Sequence, residues 1–241
     1  MSCLSIAESL PNLTVDAINR VLEPMTAAQR VEWMLQNLPG QHALSSSFGM
    51  QAAVMLHLVT TVAPDTPVIF IDTGYHFAET YRFVDDLTAR LNLDVKVFRS
   101  RISPAWQEAR HGRRWEQGLD GIKRYNHENK VEPMRQALAQ LDVSSWLSGL
   151  RRSQSRTRSA IAYAECQWDR YKVHPIADWH DRDVHRYLVR HGLPYHPLRE
   201  QGYISIGDWH STRSLKEIDN VEQARFLGLT RECGLHELSQ P

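Results

Sequence analysis

Apolar residues recur along this chain with two different periods, and their alternation predicts its architecture. Thr26-Ala27-Ala28-Gln29 has the form of a capping box, and Val31, Met34, Leu35 and Leu38 then repeat at helical spacing until Pro39-Gly40 stops them. His42 to Ser46 is a short strand candidate, and Gln51 to Val62 reads as the next helix. Val68-Ile69-Phe70-Ile71 has the unbroken apolar character of a strand buried on both faces, and Asp72-Thr73-Gly74 ends it. Phe77 to Leu91 reads as a helix and Asp94 to Phe98 as a strand. Lys130 to Leu141 follows as a helix, with Pro133 near its first turn, where proline is tolerated. Ser145 to Ser148 and Tyr171 to His174 are strand candidates, and Asp181 to Arg190 is a helix ended by Gly192 and Pro194. Strands alternating with helices predict an α/β fold: a doubly wound, mainly parallel sheet with right-handed crossovers and helices on both faces. No repeat or linker divides the chain, so 1–241 reads as a single domain with its core over 26–200. Periodicity weakens from Gln201 to Pro241, which predicts a partly mobile C-terminal tail.

Composition narrows the class of function. The chain has 241 residues, 42% of them hydrophobic, enough for a substantial core. Lys plus Arg and Asp plus Glu are 28 each, so the net charge is zero. General binding to nucleic acid or an anionic membrane rests on excess positive charge, and neither is expected here. An anion must be held by a local cluster. Neither a signal peptide's basic start nor a membrane-length apolar run is present, so a cytoplasmic protein is expected. Cysteines stand at positions 3, 166 and 233; their odd number and wide spacing do not suggest a disulfide framework, and three cannot build a four-Cys iron–sulfur cluster. The twelve histidines show no metal-ligating pattern, and no metal site is expected.

Four segments carry candidate chemistry. Ser45-Ser46-Ser47 opens a strand-to-helix turn running to Gln51. Its small residues let backbone N–H groups and hydroxyls approach phosphate oxygens at a helix N-terminus, although an ordinary polar turn would read the same way. It lacks the Gly-Lys-Ser/Thr ending of a Walker loop. Asp72-Thr73-Gly74 follows the next strand, and ligands of open α/β sheets bind at carboxyl ends of strands; Asp72 as a helix cap is the competing reading. Arg151, Arg152, Arg156 and Arg158 fall within eight residues after another strand. Their forked donors suit phosphate or sulfate, against the alternative of a solvated basic loop. Finally, Cys233 stands between Arg231-Glu232 and Gly234-Leu235-His236. A thiolate is the nucleophilic form, which Arg231 and His236 would favour and Glu232 would oppose if it points inward; a buried small hydrophobe is the competing reading of a lone cysteine, weakened here by the polar, Gly-flanked setting. Cys3 and Cys166 lack that setting and are taken as structural or incidental.

Together the strings Leu44 to Gln51, Ile71 to Tyr81, Lys130 to Met134, Gly149 to Ser155 and Glu232 to His236 resemble the phosphoadenylylsulfate (PAPS) reductase family of sulfate assimilation. They stand in family order and cover nearly the whole chain. The resemblance implies a fold similar to the adenine-nucleotide PP-loop enzymes. It implies thioredoxin-dependent reduction of PAPS to sulfite and adenosine 3′,5′-bisphosphate through a Cys233 S-sulfonate, with thioredoxin or glutaredoxin as external donor. Lys130, Arg225 and His236 are given to the sulfate and phosphates, and a homodimer is implied. One branch of the family holds an iron–sulfur cluster on two cysteine pairs, which align with Tyr125 and Asn126 and with Asp208 and Ser211 here. All four ligands are absent, so the chain resembles the cluster-free branch, which typically uses PAPS. Glu222 is a further departure from the cluster type. The remaining alternatives are a cluster-free adenylylsulfate (APS) reductase, an ATP-using PP-loop enzyme, whose Ser-Gly-Gly-x-Asp-Ser loop is not matched, and a nucleotide-binding redox sensor.

Overall fold

The computed structural model describes residues 13–229 together with Leu235. Helix α1 (Val15–Leu22) starts at Thr14, whose hydroxyl accepts the Ala17 N–H, and buries Ile18 and Leu22. Helix α2 (Ala27–Asn37) carries the expected reciprocal capping box between Thr26 and Gln29. Then follow β1 (Gln41–Ser45), α3 (Ala53–Val62), β2 (Val68–Ile71), α4 (Ala78–Leu91) and β3 (Val95–Phe98). Beyond β3 come α5 (Pro104–His111), α6 (Gly118–Asn126), α7 (Glu132–Gln140), β4 (Val143–Leu147), β5 (Ala164–Gln167), β6 (Arg170–Val173) and α8 (Asp181–Arg190).

Among the described residues, six strands lie in the order β3-β2-β1-β4-β6-β5. Every neighbouring pair is parallel except β5–β6. Apolar residues of α1 to α4 and α8 gather on one face around Leu44, Phe70, Leu147 and Val173. Met134, Ala137 and Leu138 of α7 cover Ala43, Ile69, Ile71, Val143 and Trp146 on the other. The mainly parallel sheet with helices on both faces is therefore as expected. Successive strands run outward from β1 in one direction and from β4 in the other, so the loops after β1 and β4 diverge and leave a crevice at the carboxyl edge.

Four features differ from the sequence reading. Pro133 is the second residue of α7, in its first turn as expected, but the helix does not begin afresh there: α6, a π turn over His127–Val131 and α7 form one continuous helical run. Proline lacks an N–H and crowds the carbonyl four residues back, and the wider π turn, closed by Glu132 N–H on His127 O, lies just ahead of it. Second, β5 was not foreseen. Trp168 and Asp169 join it to β6 with φ of 52° and 58°, a two-residue hairpin turn without the Asn-Gly that usually announces one. Its outer edge is met by Asn19, which accepts the Ala164 N–H (2.9 Å) and donates to the Ala164 carbonyl (2.8 Å). Third, the stretch after Gln201 is packed as far as Leu229 in short 3-10 turns, burying Asp208, His210, Ser211, Thr212, Ala224 and Phe226. Polar burial replaces apolar periodicity there, which is why the pattern fades. Fourth, Cys166 is disulfide-bonded, its partner cysteine lying outside the described residues; separation in sequence did not measure separation in space. No described helix is long and apolar enough to cross a membrane.

Candidate active site

The loop after β1 is fixed by its own backbone. Ser45 Oγ donates to Leu147 O (3.2 Å) and Ser46 N–H to Ile69 O (3.0 Å), tying the loop to both flanking strands. Ser46 Oγ accepts the Phe48 N–H at 3.1 Å, and Ser47 stands exposed. Phe48 takes a left-handed backbone, φ 48°, which costs a bulky residue about 1–2 kcal/mol. Its ring is fully buried edge-on against Phe70, which offsets that cost and pins the turn.

The loop after β2 is stiffened in a different way. Asp72 Oδ1 accepts the Gly74 N–H at 2.8 Å and the Tyr81 hydroxyl at 2.7 Å, so it braces the loop and does not cap a helix. Gly74 has φ 74°, and a Cβ there would fall 2.5 Å from Pro104 Cγ, so only glycine fits. Thr73 donates its hydroxyl to Asp208 Oδ1 at 2.5 Å and accepts the Tyr75 N–H.

Thr73 thereby joins a buried charged cluster. Lys130, carried by the π turn, places its ammonium 2.7 Å from Asp208 Oδ2, both side chains being almost wholly buried. The ammonium lies 5.4 Å from the Tyr125 ring centre and 5.5 Å from that of Phe226. Burial pushes the Asp208 carboxyl up, but Lys130, His76 and His210 together pull it further down, well below the usual carboxylate range. His210 stacks on Trp115 at 3.9 Å and meets the edges of Tyr75 and Tyr125. Burial lowers its pKa to about 4 against the opposing pull of Asp208, with Lys130 and Arg225 adding to the fall, so it is neutral at pH 7. Arg225 lies flat on Gly207, where a Cβ would fall 2.3 Å from its guanidinium. Several buried polar atoms here have no hydrogen-bond partner among the described residues: both ring nitrogens of His210, His76 Nδ1, Thr212 Oγ1 and Arg225 Nε. Such atoms are costly unless something meets them.

The Arg-rich loop after β4 divides its labour. Arg151 is buried, and its guanidinium donates to Gln51, Asp181, Ser153 and the Trp179 carbonyl, fastening the loop to the start of α3 and to α8. Arg152 donates Nε to Ile161 O and lies over the Tyr163 ring at 4.6 Å. Arg156 is exposed, and Arg158 donates to Gln154.

Thus Ser45 to Ser47, Asp72 to Gly74, Lys130, Arg225 and the Arg151 loop all lie at the carboxyl edge of the sheet, and Thr73 reaches Lys130 through Asp208. Cys233, Arg231 and His236 lie outside the described residues. Asp208 and His210 carry the electrostatics and were not chosen as site residues from sequence. The available signal was Gly207-Asp208-Trp209-His210-Ser211-Thr212-Arg213, a polar string in a segment without turn periodicity. A separate cavity of about 580 Å³ beyond β3 is lined by Arg101, Arg114, Arg124 and His127 among others, and holds none of the predicted residues.

The positions aligned with cluster ligands do converge: Tyr125 is influenced directly by Asp208, and Ser211 donates to the Asp208 carbonyl. They present a phenol, an amide, a carboxylate and a hydroxyl, with the carboxylate already taken by Lys130 and Thr73. That donor set does not fit a thiolate-ligated cluster.

Comparison with known proteins identifies the family. The profile of the phosphoadenosine phosphosulfate reductase domain matches residues 41–214. The chain is 55% identical over 234 residues to the phosphoadenosine 5′-phosphosulfate reductase of Vibrio parahaemolyticus, covering 97% of this chain and 90% of that one. It is 58% identical over 231 residues to the enzyme of the same name from Xanthomonas campestris, covering 96% and 95%. Among solved structures, it is similar to the phosphoadenylyl-sulfate reductase of Candida auris, a phosphate complex, with a TM-score of 0.72 and 28% identity over 83% of this chain and 96% of that one. The FMN adenylyltransferase of Candida glabrata shares the fold, with a TM-score of 0.57 at 16% identity over 90% of this chain and 72% of that one.

Proposed function

The chain belongs to the phosphoadenosine phosphosulfate reductase family, and from that premise we propose how its residues reduce 3′-phosphoadenylylsulfate (PAPS) in sulfate assimilation. The observation that carries the reading is the convergence of the β1 loop, the β2 loop, Lys130 and Arg225 on one sheet edge.

The Cys233 thiolate attacks the sulfur of the phosphosulfate. A sulfur–sulfur bond forms, the bond from sulfur to the bridging oxygen breaks, and adenosine 3′,5′-bisphosphate leaves with that electron pair. Lys130 and Arg225 meet the sulfate and α-phosphate oxygens, lowering the repulsion between two anions and stabilising the developing phosphate charge. Arg231 and His236 flank the thiol and favour its ionised form. Ser45, Ser46, Ser47 and Thr73 supply hydroxyls and backbone N–H groups to the nucleotide phosphates, and Asp72 and Gly74 keep the second loop in shape. Arg151 braces the Arg-rich loop, leaving Arg152 and Arg156 as the cations for the 3′-phosphate. A dithiol protein, thioredoxin or glutaredoxin, then attacks the Cys233 sulfur. Sulfite leaves with the electron pair of the sulfur–sulfur bond, and the donor's second thiol closes its own disulfide and frees Cys233. Two electrons pass from the dithiol to sulfur, with no bound metal or cluster in the sequence.

Incubating enzyme with PAPS and no reductant is expected to add one sulfonate to the Cys233 peptide. Reduced thioredoxin then releases sulfite, and PAPS turns over faster than APS. Mass on Cys3 or Cys166 instead, turnover surviving Cys233→Ser, or equal use of both substrates would each overturn the corresponding part.

A further inference from the structure

The four arginines after β4 differ in what holds them, and one combines anchorage with free donors. Arg151 has both terminal nitrogens bonded, Arg158 donates to Gln154, and Arg156 stands exposed with no side-chain anchor among the described residues. Arg152 is fixed at three points. Its backbone N–H reaches Ala177 O at 2.8 Å, its Nε–H reaches Ile161 O at 2.7 Å, and its guanidinium carbon lies 4.6 Å from the centre of the Tyr163 ring. A guanidinium carries five N–H donors, and here the one on Nε is engaged while the terminal nitrogens have no partner among the described residues. The Tyr163 ring is itself held. It is buried in the core just ahead of β5, and Arg30 of α2 lies 3.9 Å from the same ring centre. Arg30 is buried, paired with Asp178 at 2.7 Å and bonded to the carbonyls of Leu22 and Pro175. One ring thus receives two guanidinium groups, of which Arg30 is neutralised by a carboxylate and Arg152 is not.

We propose that Tyr163 is a positioning residue for substrate choice: it presets Arg152 for the 3′-phosphate that PAPS carries and APS lacks. This rests on the reading of Arg152 as a cation for that phosphate, and narrows that reading from the pair Arg152 and Arg156 to Arg152. A ring face attracts a cation without supplying a counter-charge, so the stack fixes Arg152 and leaves its charge for an anion. A carboxylate partner would fix it too, but would cancel the charge, as Asp181 does for Arg151. A long side chain loses rotamer freedom when it is ordered. For Arg152 the Ile161 carbonyl and the Tyr163 ring have already restricted that freedom, whereas exposed Arg156 would lose it on binding. Forked contact with phosphate uses parallel N–H groups of one planar guanidinium, and those of the Arg152 terminal nitrogens are the ones left open. The Arg30–Asp178 pair acts one step further back, by keeping Tyr163 in place.

The test titrates the full chain with adenosine 3′,5′-bisphosphate and with adenosine 5′-monophosphate, which differ only by the phosphate in question, and follows steady-state turnover of PAPS. Tyr163→Leu removes the platform and keeps Arg152. It is expected to weaken the bisphosphate about ten-fold and the monophosphate less than about two-fold, the order of one lost stack on a desolvated ring. KM for PAPS should rise with little change in kcat. Tyr163→Phe keeps the ring and should keep the preference for the bisphosphate. Arg152→Lys retains the charge without the Nε–H or the planar fork and leaves the core untouched. It should lose most of the preference, so it reads presetting even if Tyr163→Leu folds poorly. Equal weakening of both nucleotides in Tyr163→Leu would make the ring structural only and overturn the proposal, as would an undiminished preference in that variant or in Arg152→Lys. Failure of the underlying reading shows separately, as a preference that survives Arg152→Ala. Loss of preference in Arg152→Ala beside a wild-type preference in Tyr163→Leu would remove the positioning role alone.

Discussion

Two buried lysines face carboxylates in this molecule, and their surroundings differ in kind. Around Lys172, Glu165 also takes His174, which in turn bonds Ser148, and Gln167 and Leu235 complete a paired network. Around Lys130, Asp208 is paired, but His210, His76, Thr212 and Arg225 keep buried polar atoms without a hydrogen-bond partner among the described residues. Satisfied networks rigidify a fold, whereas unpaired buried donors weaken it unless a ligand meets them. The contrast separates a region paired within the chain from one that, in the proposed function, meets an anion.

The sharpest break of that contrast is at Lys130. Lys130→Met should cut kcat/KM for PAPS by about a thousand-fold, the scale of losing one preorganised charge at a transition state. It should also destabilise the fold, because Asp208 is left as an unpaired buried carboxylate. Lys130→Met/Asp208→Asn should restore stability in urea unfolding without restoring sulfite formation. A double variant that regains turnover would make the pair structural, like its counterpart.

At the other lysine the order reverses. Glu165→Ala leaves Lys172 buried beside fewer acceptors, and should lower unfolding stability by about 3 kcal/mol. Sulfonation by the folded fraction should stay within a few-fold of wild type, because Glu165 pairs with Lys172 and not with the Lys130–Asp208 cluster. A thousand-fold loss there would erase the distinction.

Acid acts on both regions: burial lowers the His174 imidazole beside Glu165 as it lowers that of His210, and Asp208, like Glu165, is held below the usual carboxylate range against the upward push of burial. The neutral His210 has a folded pKa of about 4, below its ordinary 6.5, so the unfolded chain binds that proton first. Stability therefore falls as pH drops from 6.5 towards 4, by up to about 1.4 kcal/mol per pH unit for one group. His196, lowered by burial to about 4, shares that window. Burial raises the Glu165 carboxyl, but His174 and Lys172 pull it down to about 2. Its contribution is present above its ordinary 4.5 and is lost as pH falls from there towards 2. Urea unfolding across pH should show both windows, and Glu165→Gln should shrink the lower one, to which Asp208 also contributes.

The smallest effect expected is at His210. His210→Phe keeps the stack on Trp115 and removes two unpaired nitrogens, so stability at pH 7 should change by less than about 1 kcal/mol or rise. The upper acid window should shrink, and kcat should fall about ten-fold if those nitrogens meet substrate. Unchanged kcat with raised stability would place His210 behind the site.

Much of this was legible in the sequence because apolar runs report burial. The strand at Val68–Ile71 and the capping box at Thr26 could be read from residue types alone. The hairpin at Trp168-Asp169 could not, since neither residue is the glycine that normally adopts positive φ. Lys130 and Arg225 were reached through resemblance. Asp208 and His210 were missed because a buried polar cluster has no period. Its members come from the β2 loop, the π turn and the stretch after Gln201, and only folding assembles them. Arg151 looked like an anion contact, yet Asp181 and Gln51, distant in sequence, occupy its guanidinium.

The amide of Asn19 at the rim of β5 has a consequence for the protein in bulk. An outermost strand offers unpaired N–H and C=O groups on which another chain can add. Asn19 answers Ala164 with one acceptor and one donor, as the next strand would, so one side chain blunts the point where copies could stack. Asn19→Leu would leave helix α1 its apolar face and strip that guard. The expected result is concentrated stocks that cloud and gain thioflavin fluorescence on storage while dilute enzyme works as before: a single amide sets how crowded this protein can safely become.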